Sequence, residues 1–233
     1  PEEIDGYELL GEEVRIYYSD NKESDGRKTV MLMPRTQQKD IITLTVDRSF
    51  KYDEQQGAIE YLPDGRTRTK KLSIADNAYV LKNGAECSDN VAATLQNISK
   101  GSVKLVDSDS DGKYDVVLAT EYFNLTVGYI DKEEMAVYDK YDRARSVRLE
   151  DGSEKRVRIM AYDKTALSFD DIKKTDLITV YDSEVYTEVY VCESSFVGTI
   201  EKITASGNCI LTVDGVSYIV DKDCAEDGNA VLR

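Results

Sequence analysis

Val103–Leu118 reads VKLVDSDSDGKYDVVL: two short runs of alternating apolar residues on either side of an aspartate-rich turn. Period-two alternation around a polar, glycine-bearing turn is the pattern of a β-hairpin with one face of each strand turned to a core. The turn carries Asp107, Asp109, Asp111 and Asp115 around Gly112. Oxygen donors at alternate positions, with a glycine for the sharp bend, suit a loop that wraps a hard cation such as Ca²⁺. This stretch therefore sets both the expected fold class, all-β, and the one candidate ligand site.

In that site Asp107, Asp109 and Asp111 supply side-chain oxygens, Lys113 its carbonyl, and Asp115 a ligand directly or through water. Leu118 stands where an EF-hand places its bidentate glutamate, and a strand follows instead of a helix. The expectation is thus a calcium loop on a hairpin, with Glu121 or a carboxylate from elsewhere completing the shell. The competing reading is a solvated acidic turn. Against it, carboxylates this close repel one another, and a cation relieves that repulsion. Extracellular loops of this sort bind Ca²⁺ with dissociation constants on the order of 10⁻⁴ to 10⁻³ M.

Outward from the hairpin, the chain keeps the same grammar. VRIYY (14–18), TVMLM (29–33), IITLTV (41–46), LITVYD (177–182) and VYTEVYV (185–191) are short, β-branched or aromatic, and bounded by polar turns. Asp64-Gly65, Asp151-Gly152 and Asp214-Gly215 each join two such runs, a strong hairpin signal because glycine accepts a positive φ. Two short helices interrupt the strands. SDNVAATLQNIS places Val91, Leu95 and Ile98 at helical spacing behind a capping Ser88, and SFDDIKK offers the second.

Three segments share one order: a leader ending in Leu10, Ile98 or Ile172, then three strands, then an Asp-Gly hairpin. The strands run VRIYYSD, VKLVDSD and LITVYDS; then TVMLM, DVVLA and VYTEVYV; then IITLTVD, LTVGYID and FVGTIEK. Such internal repetition predicts two or three tandem, barrel-like or sandwich modules with short helices between them, bounded at 1–79, 80–165 and 166–233. Only the middle copy has the full aspartate loop; the first carries a partial version at 20–26, and the third a tight turn at Ser183-Glu184.

Composition narrows the function. A net charge of −15 repels nucleic acid and anionic membrane surfaces. The absence of histidine removes the commonest general base and transition-metal ligand, and no apolar run approaches a membrane span. The chain opens on Pro1 and reads as a trimmed segment, so a missing export signal excludes nothing. Cys87, Cys192, Cys209 and Cys224 lack zinc-site spacing; a Cys209–Cys224 bridge and unpaired thiols both remain open. Arg66, Arg68, Lys70 and Lys71, echoed by Lys155, Arg156 and Arg158, fit the solvent face of hairpins paired with acidic neighbours. Tyr17, Tyr18, Tyr181, Tyr186 and Tyr190 are strand residues first and a sugar-stacking strip second. No nucleophile elbow or phosphate-binding loop is present, and the chain is expected not to be an enzyme.

LLGEEVRIYYSD, GSVKLVDSDSDGKYDVVLATEY and FVGTIEKITASGNCILTVDGVSYIV resemble the repetitive β-rich regions of large secreted surface proteins of clostridia-like Gram-positive bacteria. Such proteins often also carry S-layer homology domains. The resemblance implies a secreted, cell-wall-associated, non-enzymatic structural or spacer segment, its partners being the cell-wall polymer or other surface proteins. No S-layer homology motif occurs in these residues, and one complete aspartate loop cannot make an integrin-type propeller. The alternative expectation is a carbohydrate-binding or adhesin-like module using exposed tyrosines. Nucleic acid, membrane insertion and a small-molecule substrate are not expected.

Overall fold

The computed structural model describes residues 9–22, 28–34, 40–46, 50–63, 65–87, 91–142, 144–152, 155–192, 197–204 and 209–220, with the backbone alone at 19–22, 28–34, 209 and 219–220. It is all-β with several modules. The strands are β1 (Val14–Lys22), β2 (Lys28–Pro34), β3 (Ile41–Val46), β4 (Lys51–Asp53), β5 (Ala58–Tyr61), β6 (Lys70–Lys82) and β7 (Ala85–Glu86). Helix α1 (Val91–Asn97) precedes β8 (Gly101–Val106), β9 (Tyr114–Glu121), β10 (Phe123–Asp131), β11 (Ala136–Asp139), β12 (Ser146–Arg148), β13 (Arg156–Ala161) and β14 (Ala166–Leu167). A 3-10 turn at Phe169–Asp171 leads to β15 (Leu177–Asp182), β16 (Tyr186–Cys192), β17 (Ile200–Thr204), β18 (Cys209–Val213) and β19 (Val216–Val220). No helix among the described residues is long and apolar enough to cross a membrane.

The chain divides between Glu121 and Tyr122 into two compact units. In the first, the main sheet runs β3-β8-β9-β6-β5-β4, with β6 parallel to β9 and the other neighbours antiparallel. Strand β6 serves two partners: Lys70–Ser73 pair with β5 and Tyr79–Lys82 with β9, across a register shift after Ile74. It then folds back on β7 through Asn83-Gly84, both at positive φ (46° and 77°). That is the geometry a two-residue hairpin turn requires. Leu44, Ile59, Ile74, Val80, Val103, Leu105, Val117 and Ala119 form one core, closed by Leu95 of α1 and by Ile98 just beyond it.

The second unit's sheet runs β12-β11-β10-β15-β16-β13-β14, again with one parallel pair, β13 and β16. Read as a circle, the two units have the same strand order. Setting aside the two-residue strands β7 on β6 and β14 on β13, it is β3, β8, β9, β6, β5, β4 in one and β10, β15, β16, β13, β12, β11 in the other, and the ladder is interrupted between β3 and β4 or between β12 and β13. Both are barrel-like, because the core of each draws side chains from around that circle. In the second unit these are Leu125, Val127, Val137, Val147, Ile159, Ile178, Val180, Val189 and Val191, with Phe169 and Ile172 from the 3-10 turn. That turn is held where SFDDIKK suggested a helix: Asp171 accepts hydrogen bonds from the amide (2.8 Å) and hydroxyl (2.6 Å) of Ser168.

Two smaller sheets stand apart from these ladders, the hairpin β1–β2 and the meander β17-β18-β19. The structure divides the chain differently from the expected boundaries. β6 runs through position 79/80, and β13 pairs with β16 across position 165/166. Ser88, Asp64, the loop 23–27 and Cys224 lie outside the described residues, and so does the side chain of Cys209.

Candidate metal centre

The hairpin β8–β9 forms as expected, with Val106 opposite Val116 as the last paired residues before the loop. Val103 and Leu105 point into the core, fully buried, so the strands are fixed and the loop 107–113 is what remains to be arranged. Ser110 and Gly112 adopt positive φ (61° and 89°), which tightens the bend and turns the loop's amides inward.

Asp107 lies deepest, at 8% exposure, and both its oxygens accept backbone hydrogen bonds: Oδ1 from the Asp111 amide (3.2 Å) and Oδ2 from the Gly112 amide (2.9 Å). Asp109 Oδ1 shares the Asp111 amide (3.2 Å), and Asp111 Oδ1 accepts from the amide of Lys113 (2.8 Å). These short-range bonds orient the carboxylates as in turns built on aspartate. One oxygen from each of Asp107, Asp109 and Asp111 then falls within 4.8 Å of the other two. Among the described residues no lysine or arginine pairs with the three. A carboxylate oxygen has lone pairs beyond those used by the amides, so the cluster keeps donors for a hard cation.

Asp115 takes a different place from the expected ligand. Its Oδ1 accepts from the Ser108 amide (3.0 Å) and its Oδ2 from the Ser108 hydroxyl (2.5 Å). Burial pushes its pKa up, but the bonds from Ser108 outweigh this, and the net shift is downward. Asp115 thus staples the two ends of the loop together. Lys113 contributes the amide already described. Glu121 is not near the cluster. It lies at the far end of β9, where it pairs with Lys82 and accepts from the Ser99 amide (2.9 Å).

The carboxylate that does come from elsewhere is Asp40, just before β3. Its Oδ2 accepts from the Ser110 hydroxyl (2.8 Å), and its carbonyl accepts from the Asp107 amide (2.9 Å). Tyr114 registers the resulting field: burial raises its pKa most, and the charge on Asp107, Tyr61 and Asp40 raises it further. Nothing in local spacing singles out Asp40, because the antiparallel pairing of β3 with β8 is what carries it to the loop.

The remaining candidates are placed as follows. Lys71 pairs with Glu60 (2.6 Å), Lys155 with Asp182 (2.6 Å) and Arg158 with Glu188 (3.9 Å), so these hairpin cations meet acidic neighbours. Cys87 is a half-buried free thiol. Tyr17 and Tyr18 are exposed on β1. Tyr181 and Tyr190 meet edge to face on the second unit's sheet (5.9 Å), joined by Tyr122 and Tyr162, while Tyr186 and Tyr190 both donate to Glu188. Comparison with protein-family models, with curated proteins and with solved structures gives no match.

Proposed function

We propose that this chain is a non-enzymatic spacer segment of a secreted, cell-wall-associated bacterial protein, with Ca²⁺ pinning the β8–β9 loop of its first unit. The observation that carries the metal reading is the convergence of the Asp107, Asp109 and Asp111 oxygens within 4.8 Å without a basic partner among the described residues. Three like charges held so close raise one another's energy, and a divalent cation removes that cost. The spacer reading is supported by the shared circular strand order of the two units, the pattern a tandem repeat produces. The surface location rests on the sequence resemblance and on the net charge of −15. The cell-wall polymer and other surface proteins are the partners this reading assigns.

Calorimetry of the whole chain with chelator and then with millimolar CaCl₂ tests it. The melting temperature rises with calcium, and Asp109→Ala combined with Asp111→Ala removes the response. An unchanged melting curve across that range dismisses the metal.

A carbohydrate-binding role has one observation in its favour. Tyr162 is 60% exposed beside Tyr190, Tyr181 and Tyr122, and aromatic rings flanked by hydrogen-bonding groups suit sugar faces. The rings tilt against one another by 39° to 80° instead of lying in one plane, which favours packing over a flat platform. A glycan array probed at high protein concentration decides between the two.

A further inference from the structure

Asn83, at the turn that ends β6, is a buried polar residue of the first unit, 6% exposed. Its backbone amide donates to the Ala119 carbonyl of β9 (3.0 Å). Its side chain meets the last residue of β9 twice: Nδ2 donates to the Glu121 carbonyl (2.8 Å), and Oδ1 accepts from the Glu121 amide (2.9 Å). A carboxamide carries a donor and an acceptor side by side without charge, so it meets a strand end as a neighbouring backbone would. The Glu121 carboxylate is held as well, by Lys82 beside Asn83 and by the Ser99 amide (2.9 Å). The end of β9 is thus fastened to β6 through one neutral side chain, across 38 residues of sequence.

The next residue is Gly84, which makes the only Asn-Gly pair in the sequence. A glycine leaves its own backbone nitrogen unshielded, and in a free chain that nitrogen attacks the preceding carboxamide. A bond forms between Gly84 N and Asn83 Cγ, the bond from Cγ to Nδ2 breaks, and Nδ2 departs as ammonia with the Gly84 amide proton. Water then opens the succinimide ring to aspartate or isoaspartate and a proton is released. Neither ionised product can donate to the Glu121 carbonyl; each sets a carboxylate against that oxygen, and isoaspartate also lengthens the turn by one backbone carbon. In the folded turn, at φ 46° and 77°, the paired bonds to Glu121 fix the rotation of the carboxamide, so ring closure waits until β9 lets go. The turn between β13 and β14 has no carboxamide to lose: there Asp163 accepts from the Thr165 amide (2.9 Å).

We propose that Asn83 is both the latch of the first unit and a self-modification site that opening exposes. When β9 comes away, the amide is converted irreversibly to aspartate or isoaspartate, and the unit that recloses is weaker than before. The folded unit guards the amide, so the extent of conversion records how often that unit has opened.

Peptide mass spectrometry of the whole chain tests this, after incubation in mildly alkaline buffer with and without concentrated guanidinium chloride. In denaturant, fragment spectra place the mass gain of amide-to-acid conversion at Asn83 ahead of every other asparagine. Without denaturant the rate at Asn83 is at least about tenfold lower. Asn83→Asp, which carries the product from the start, unfolds at a lower denaturant concentration than the wild type, whereas Asn77→Asp, at an exposed position of the same strand, shifts the midpoint less. Equal rates at Asn83 in the folded and unfolded chains overturn the proposal without recourse to any variant. So does a denatured chain in which Asn83 converts no faster than the other asparagines, or an Asn83→Asp chain as stable as the wild type.

Discussion

The hairpins β8–β9 and β15–β16 hold the same place in their barrels, yet they close differently. Each pairs antiparallel with the strand at its outer side, β3 or β10, and each lays its second strand parallel to β6 or β13. Val103 and Leu105 in one match Ile178 and Val180 in the other, all fully buried. Between the strands, one hairpin spends residues 107–113 on three clustered carboxylates; the other turns at once, with the Ser183 amide donating to the Tyr186 carbonyl (2.9 Å). Asp182, beside that short turn, is neutralised by Lys155 and accepts from the Thr187 hydroxyl (2.5 Å). The frame fixes the strands and leaves the loop free to vary in charge. One loop is balanced from within the protein; in the other, three carboxylates meet no basic partner among the described residues.

The largest test of that equivalence is in the cores. Leu105→Ala and Ile178→Ala each create a cavity at a fully buried position in the first strand of its hairpin. Each is expected to cost about 2–5 kcal/mol in urea unfolding; a small cost at only one of them breaks the comparison. Calcium comes next. On the calcium reading proposed above, a dissociation constant of about 10⁻⁴ to 10⁻³ M predicts that about 10 mM Ca²⁺ will stabilise the first unit by about 1.4 to 2.7 kcal/mol. Replacing residues 107–113 with Ser-Glu-Val from the other hairpin removes that gain and leaves the far-ultraviolet dichroism unchanged.

Smaller effects sharpen the contrast in charge. Lys155→Ala removes the ion pair with Asp182 and lowers stability by up to about 1 kcal/mol, a loss that added salt diminishes. Asp115 gives the aspartate loop a pH signature. Its folded pKa is depressed on balance, so its contribution is present above the ordinary aspartate range and is lost as pH falls through the lowered value. Urea midpoints measured down the acid limb show this loss, and Asp115→Asn flattens it.

Much of this was legible in the residues. Alternation in VKLVD and YDVVL marked buried faces, and Asp214-Gly215 turns at positive φ (47° and 79°) as its dipeptide requires. Asn83-Gly84 carries the same signal, but the two-residue β7 that follows is too short to show an alternating run of its own. The repeat was visible as an order of strands but not in register. Setting LITVYDS against VKLVDSD aligns Leu177 with Val103, whereas the core pairs Leu125 with Ile178 and Leu44 with Val103. A slip of one residue sends every side chain to the opposite face, so eye alignment of β-branched runs loses the inside from the outside. Module boundaries were illegible for a related reason. The parallel partners β6 and β9 are separated by a helix and a hairpin strand, and no local pattern announces a long-range pair. In the site, the spacing gave Asp107, Asp109 and Asp111, which lie together, while Asp40 arrives only through pairing of distant strands.

That parallel pairing also sets the timetable of synthesis. Val80 waits for Val117, and Ile159 for Val189, so neither barrel closes until its last strand has left the ribosome. Contacts between distant positions slow folding, and an emerging half-barrel presents bare apolar surface while it waits. Because β16 is the closing strand of its barrel, nascent chains arrested before Cys192 will show protease-resistant first units followed by digestible remainders.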